Sequence, residues 1–108
     1  MKLKGVPFAS RLDIREARYD PLIAMKLKSI NSAIFLSNLI FHHQEENLGV
    51  DDPVVRTIYQ VYAETAISRY KQETVVKNLK EFELIRVELL GIPARRHFFI
   101  NYPVLHKF

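Results

Sequence analysis

Only Ala66-Ile67-Ser68 separates two stretches of helical period in this chain. Before the gap, Val54, Val55, Ile58, Val61 and Tyr62 recur at helical spacing; after it, Val75, Val76, Leu79 and Phe82 do the same. Two helices joined by so short a turn must cross sharply. Ser68 is placed to cap the second of them, which opens on Arg69-Tyr70-Lys71-Gln72-Glu73. For the first, Asp52-Pro53 is a cap-and-proline signal and predicts a helix to about Thr65, while a short strand at Val54 to Thr57 before a shorter helix is the second reading. Past Phe82 the period changes. Ile85-Arg86-Val87-Glu88-Leu89 alternates apolar and polar, Leu90-Gly91-Ile92-Pro93 is turn chemistry, and His97 to Ile100 is β-prone, so a hairpin is expected with Arg95 and Arg96 on its returning loop.

Upstream, Asp20-Pro21 predicts a short helix to about Lys28. Ser29 and Asn31 are the next caps, followed by Ile30, Ala33, Ile34, Phe35, Leu36, Leu39, Ile40 and Phe41. A helix apolar almost all round is central in its domain or shared with a second subunit, and the second option predicts a homodimer through Asn31 to His43. Glu45 to Asp52, with Asn47-Leu48-Gly49, reads as a polar loop. Residues 1–19 are weakly patterned and are expected as an N-terminal arm ahead of one domain over 20–108. A chain of 108 residues that is 48% apolar has material for one core and for no interdomain cleft. Lys2 and Lys4 lead into Phe8, Ser10, Arg11 and Asp13, which is no signal peptide, and the apolar stretch Ala33 to Phe41 is too short to span a bilayer. The expectation is a cytoplasmic protein with no membrane partner.

The net charge of +4 hides a polarised distribution. Met1 to Lys28 has seven basic and three acidic residues, His42 to Ser68 has one against five, and Arg69 to His97 has seven against four. Two basic segments flanking an acidic one attract a polyanion if they share a face, and are a solvated mixed surface if they do not. Charge alone leaves both open.

Catalytic chemistry finds little support. With no cysteine, disulfides and thiolate zinc sites are excluded. His42 and His43 are adjacent and point about 100° apart on a helix, and His42 with Glu46 lacks a third ligand, so no metal is expected. There is no Gly-rich phosphate loop, nucleophile elbow or His-Glu-x-x-His pattern. The expectation is a non-enzyme without cofactors.

A sharply crossed helix pair followed directly by a hairpin is the order of a winged helix: an α+β domain, mostly helical, with a C-terminal two-stranded wing. In that order, the chain resembles the N-terminal domains of phage replisome organisers and DnaD-type replication proteins. The resemblance runs through Asp20-Pro21-Leu22-Ile23-Ala24, Asn31-Ser32-Ala33-Ile34-Phe35-Leu36, Ser68 to Val76, Leu79, Leu84-Ile85, Gly91-Ile92-Pro93-Ala94-Arg95 and Phe99-Ile100-Asn101, about residues 20 to 105. Tyr62 and Ala66 depart from the general pattern, which has a small residue and a glycine there. The resemblance implies double-stranded DNA binding in replication initiation or transcription control.

In such a fold the second helix presents its N-terminal residues to base edges in the major groove while phosphate contacts fix its register. With Val75, Leu79 and Phe82 expected to face the core, Arg69, Tyr70, Glu73 and Lys77 project outward and Thr74 lies at the boundary. Arg69 suits bidentate contact to guanine, whereas Lys71, Lys77 and Lys80 suit phosphate. Arg95 and Arg96 on the wing reach a minor groove or its flanking phosphates. For each there is a plainer role: Glu73 and Glu81 interleave with Lys77 as helix-solvating pairs, Tyr70 fits a core edge, and wing arginines solubilise hairpins. The alternative function is a protein-interaction adaptor or inhibitor that binds a replication or transcription protein and no DNA; Tyr62, Ala66 and the acidic middle segment favour it.

Overall fold

The Asp20 carboxylate accepts the Leu22 N–H at 2.8 Å and Pro21 occupies the first turn of α1 (Pro21–Leu27), as the Asp-Pro pair predicts. The computed structural model describes residues 19–108, and all of the expected arm except Tyr19 lies outside the described residues. Lys28 ends α1 in a left-handed conformation, and the Ser29 hydroxyl accepts the Ser32 N–H to start α2 (Ile30–Glu45). This is the central helix. Ala33, Phe35, Leu36 and Leu39 are buried, and α2 packs against α1, both helices of the crossed pair and the sheet. Its wide apolar stripe is thus used within one chain; of its large apolar residues only Ile30 is exposed.

Asp52 does not cap a helix. Its carboxylate accepts the Gly49 N–H at 2.9 Å and closes the loop after α2. Val54–Val55 form β1, and the helix starts later, as α3 (Ile58–Thr65). The expected helix from Asp52-Pro53 is therefore corrected to the strand-then-helix reading, for a local reason. Thr57 and Gln60 form a reciprocal capping box: the Gln60 N–H donates to Thr57 Oγ1 at 3.1 Å, and the Thr57 N–H donates to Gln60 Oε1 at 2.9 Å.

Ala66 leaves α3 at φ 63°, a left-handed value that costs a residue with a Cβ about 1 kcal/mol. Ile67 is buried in the turn, and the Ser68 hydroxyl accepts the Lys71 N–H to open α4 (Arg69–Glu81). Val75 and Leu79 face the core as expected. Phe82 does not: it is 39% exposed and meets Phe108 edge-on at 5.4 Å, because α4 ends at Glu81 before the stripe reaches it.

The sheet is antiparallel in the order β1-β3-β2, with β2 (Ile85–Leu90) and β3 (Arg95–Ile100) as the hairpin. Val54 and Val87 flank Phe98, and Ile85 faces Ile100. The ladder extends further than the alternation predicts. Leu90 pairs with Arg95 and Leu89 with Arg96, so both arginines belong to β3 and the turn is confined to residues 91–94, where Gly91 takes φ 96°. Phe35 of α2 meets Phe98 edge-on at 5.5 Å, which joins the helical layer to the sheet. After β3 the Asn101 side chain accepts the Val104 N–H and starts α5 (Tyr102–Lys107), whose Tyr102 hydroxyl bonds His43 Nδ1 at 3.1 Å. The described residues form an α+β domain of five helices and one three-stranded sheet.

Candidate nucleic-acid interface

The inward stripe of α4 begins earlier than its aliphatic residues suggest. Gln72, Val75, Val76 and Leu79 lie three, four and seven residues apart, and all four are buried or half-buried. The rest of the helix surface is consequently turned out: Arg69, Tyr70, Lys71, Glu73, Thr74, Lys77 and Lys80 are all exposed. Tyr70, at 78% exposure, is no core-edge aromatic. The first turn of α4 carries two cations and no acid, the wrong charge for a helix N-terminus. Neither Arg69 nor Lys71 makes an ion pair with a described residue, so local helix stability does not explain them.

The two wing arginines are separated by strand alternation. Arg95 is exposed, on the same face of the sheet as Phe99, and makes no ion pair with a described residue. Arg96 points the other way. Its guanidinium lies 5.0 Å from the Phe98 ring centre, donates Nη2–H to Gln72 Oε1 at 3.0 Å and donates Nε–H to the Arg56 carbonyl at 3.2 Å. Burial pushes it down to about 10, so it stays charged at neutral pH with no carboxylate beside it. Gln72 in turn donates to the Ile58 and Ile67 carbonyls at 3.0 and 2.8 Å. Arg96 is thus a brace between the wing, the segment that follows β1 and α4, and it does not join the outward cations.

That brace also places the wing. At its base the hairpin is tied to the C-terminal end of α4, where the Leu84 N–H donates to the Leu79 carbonyl at 3.0 Å. Near its tip it is tied to Gln72, in the N-terminal half of the helix. The hairpin therefore runs back along α4. The wing thus approaches the half of α4 that opens on Arg69, Tyr70 and Lys71, while Arg95, on the sheet face opposite Arg96, points away from that helix.

A second group of charges has the opposite fate. Glu64 Oε1 accepts Arg56 Nη2–H at 2.6 Å and Asn38 Nδ2–H at 2.9 Å, and lies 2.8 Å from His42 Nε2. Burial works to raise the Glu64 carboxyl, but the Asn38 and His42 hydrogen bonds and the Arg56 charge outweigh it and hold the group below its usual value. His42 thus meets Glu64 across the α2–α3 contact, and its Glu46 pairing does not form. Among the described residues, no three His, Asp or Glu side chains are grouped to hold a metal ion, and no helix is long and apolar enough to cross a membrane. Comparison with protein-family models, with curated proteins and with solved structures gave no match.

Proposed function

We propose that the domain is a winged helix that binds double-stranded DNA, with the start of α4 in the major groove and the β2–β3 hairpin on the adjacent groove or backbone, in replication initiation or transcription control. The element order and the β1-β3-β2 sheet support that fold. One observation carries the function: the Arg96–Gln72 hydrogen bond ties the hairpin to the N-terminal half of α4, whose Arg69 and Lys71 are exposed and without an ion pair among the described residues, with Arg95 likewise exposed on the outer face of the wing. Arg69 takes the base contact. Tyr70, Glu73 and Thr74 flank it, Glu73 as an acceptor for cytosine and Thr74 for either base type or phosphate. Lys71 and Lys77 hold phosphates. Self-association belongs to the same reading, since a palindromic target requires a twofold dimer; light scattering reports the mass.

Selection from a random duplex library tests the proposal: an enriched motif is expected, bound with an affinity that falls by orders of magnitude between about 50 and 200 mM salt. In the selected complex, Arg69→Ala relaxes discrimination at one position by about 1–3 kcal/mol, and Lys77→Ala weakens all duplexes alike and lowers the salt slope by about one. Undetectable duplex binding at low salt ends this reading. The adaptor reading then takes its place, on the strength of Tyr59 and Tyr62, which stand three residues apart on α3 at 76% and 52% exposure.

A further inference from the structure

The tip of the hairpin carries aliphatic side chains that a water-facing turn has no use for. Residues 89–93 read Leu-Leu-Gly-Ile-Pro, without a charge, hydroxyl or amide side chain. Ile92 is fully exposed at 103%, Leu89 is 66% exposed and Leu90 44%. Turn positions facing only solvent favour Gly, Pro, Asn, Asp and Ser; Gly91 and Pro93 fit that rule and Ile92 does not. Gly91, at φ 96°, answers a backbone demand; the Ile92 side chain answers none. A contiguous apolar projection of this kind marks a contact surface.

Its surroundings select the partner. Arg95 stands exposed at the foot of the tip, and Arg96 bonds the wing to the N-terminal half of α4, whose first turn holds Arg69 and Lys71. The acid on this stretch of the wing, Glu88, is bonded to Arg86. An apolar point with an unpaired cation at its foot, on a wing bonded to a helix that opens on two more, matches a polyanion with an apolar interior, which a stacked duplex provides. Leu, Ile and Pro side chains in a minor groove part a base step and kink the helix axis by about 20–90°. Pyrimidine–purine steps yield most easily.

We propose that the hairpin tip is an apolar wedge: Ile92, backed by Leu89 and Pro93, enters the minor groove beside the α4 site and unstacks a flexible base step, so that the bound duplex is bent. This rests on the DNA-binding reading above and adds the groove, the mode of contact and the shape of the product complex. It also explains why the wing is braced from inside by Arg96, since a wedge transmits force only if its base is fixed.

Full-length protein is titrated against a selected duplex labelled at both ends, with anisotropy reporting binding and end-to-end energy transfer reporting bending. The wild type is expected to shorten the end-to-end distance on binding. Ile92→Ser is expected to bind about tenfold more weakly, the loss of one buried aliphatic contact, and to leave the duplex straight, whereas Ile92→Leu keeps the bend. A selected duplex with TA at the step under the tip is expected to bind the wild type more tightly than one with AA there, and to bind Ile92→Ser no differently. Thermal unfolding is the same for all three proteins, because Ile92 is outside the core. A wild-type complex that is straight, or a bend that survives Ile92→Ser, overturns the wedge while leaving DNA binding intact. Flotation on phosphatidylcholine–phosphatidylserine vesicles that is lost in Ile92→Ser, with the bend unaltered, overturns it in favour of a membrane contact. Absence of any anisotropy change removes the wedge together with the reading it rests on.

Discussion

Two sets of charged side chains lie on either side of the α3–turn–α4 unit, and they differ in what they face. Arg56, Glu64 and His42 are gathered inside with Asn38, around one carboxylate oxygen. Arg69, Lys71, Lys77 and Arg95 are spread outside with no acidic partner among the described residues. The inner set is paired around Glu64 and its work is structural. The outer set is uncompensated within the described residues, and a polyanion is its natural complement. Residue type does not distinguish the two sets; position on the fold does.

Breaking the inner set has the largest expected effect. Glu64→Leu leaves Arg56, whose side chain is 9% exposed, without its counter-charge, and the loss should be about 3 kcal/mol, the low end for a buried pair because Glu64 itself is 29% exposed. Urea midpoints measure it. Duplex affinity per folded molecule should not change, and a parallel loss of affinity would show that the two sets are not independent. The same carboxylate predicts an acid limb. Its folded value lies below the ordinary 4.5, so its contribution is complete above that pH and disappears as pH falls through the folded value. The stability gap between wild type and Glu64→Gln should be flat at neutral pH and close only in acid.

Arg95 and Arg96 give the sharpest version of the contrast, because they are neighbours in sequence. Arg96→Ala strips Gln72 Oε1 of its donor in a side chain that is 1% exposed, and should cost about 1–3 kcal/mol of stability. Arg95→Ala should change stability by less than about 0.5 kcal/mol and lower the salt slope of duplex binding by about one. If the two variants behave alike in both assays, the division between bracing and binding fails.

What could be read in advance follows the range of the interactions. The starts of α1, α2 and α4 are legible because Asp20, Ser29 and Ser68 cap them within two or three residues. The start of α3 is obscured by competition between two local signals, Asp52-Pro53 and Thr57-x-x-Gln60, and the reciprocal box wins. Asn101 and Pro103 signal α5 by a cap and an early proline, as Asp20-Pro21 does for α1, but a helix of 6 residues has no period to read. At the site, the outward face of α4 follows from its period, and Gln72 is recoverable too, as the polar first member of the inward stripe. The role of Arg96 is not recoverable without knowing that β3 starts at Arg95, because a shift of one residue exchanges the two arginines between faces. The Glu64 network was out of reach altogether: Asn38 and His42 come from another helix, 26 and 22 residues away in sequence.

The turn between the two sets carries the smallest expected effect. Ala66 sits at φ 63° where glycine is at ease, and the Thr65 hydroxyl, which donates to the Val61 carbonyl and accepts the Ile67 N–H, holds it there. Ala66→Gly relieves the left-handed penalty of about 1 kcal/mol and returns part of it as extra freedom in the unfolded chain, so a gain of about 0.5 kcal/mol is expected in urea unfolding. The crossing of α3 and α4 is also held by Gln72, which bonds Ile58 and Ile67 from across the turn, so duplex affinity should be unmoved. A drop in affinity beside a gain in stability would mean that the alanine keeps α4 at an angle the duplex requires. The turn would then belong with the outer set rather than with the scaffold.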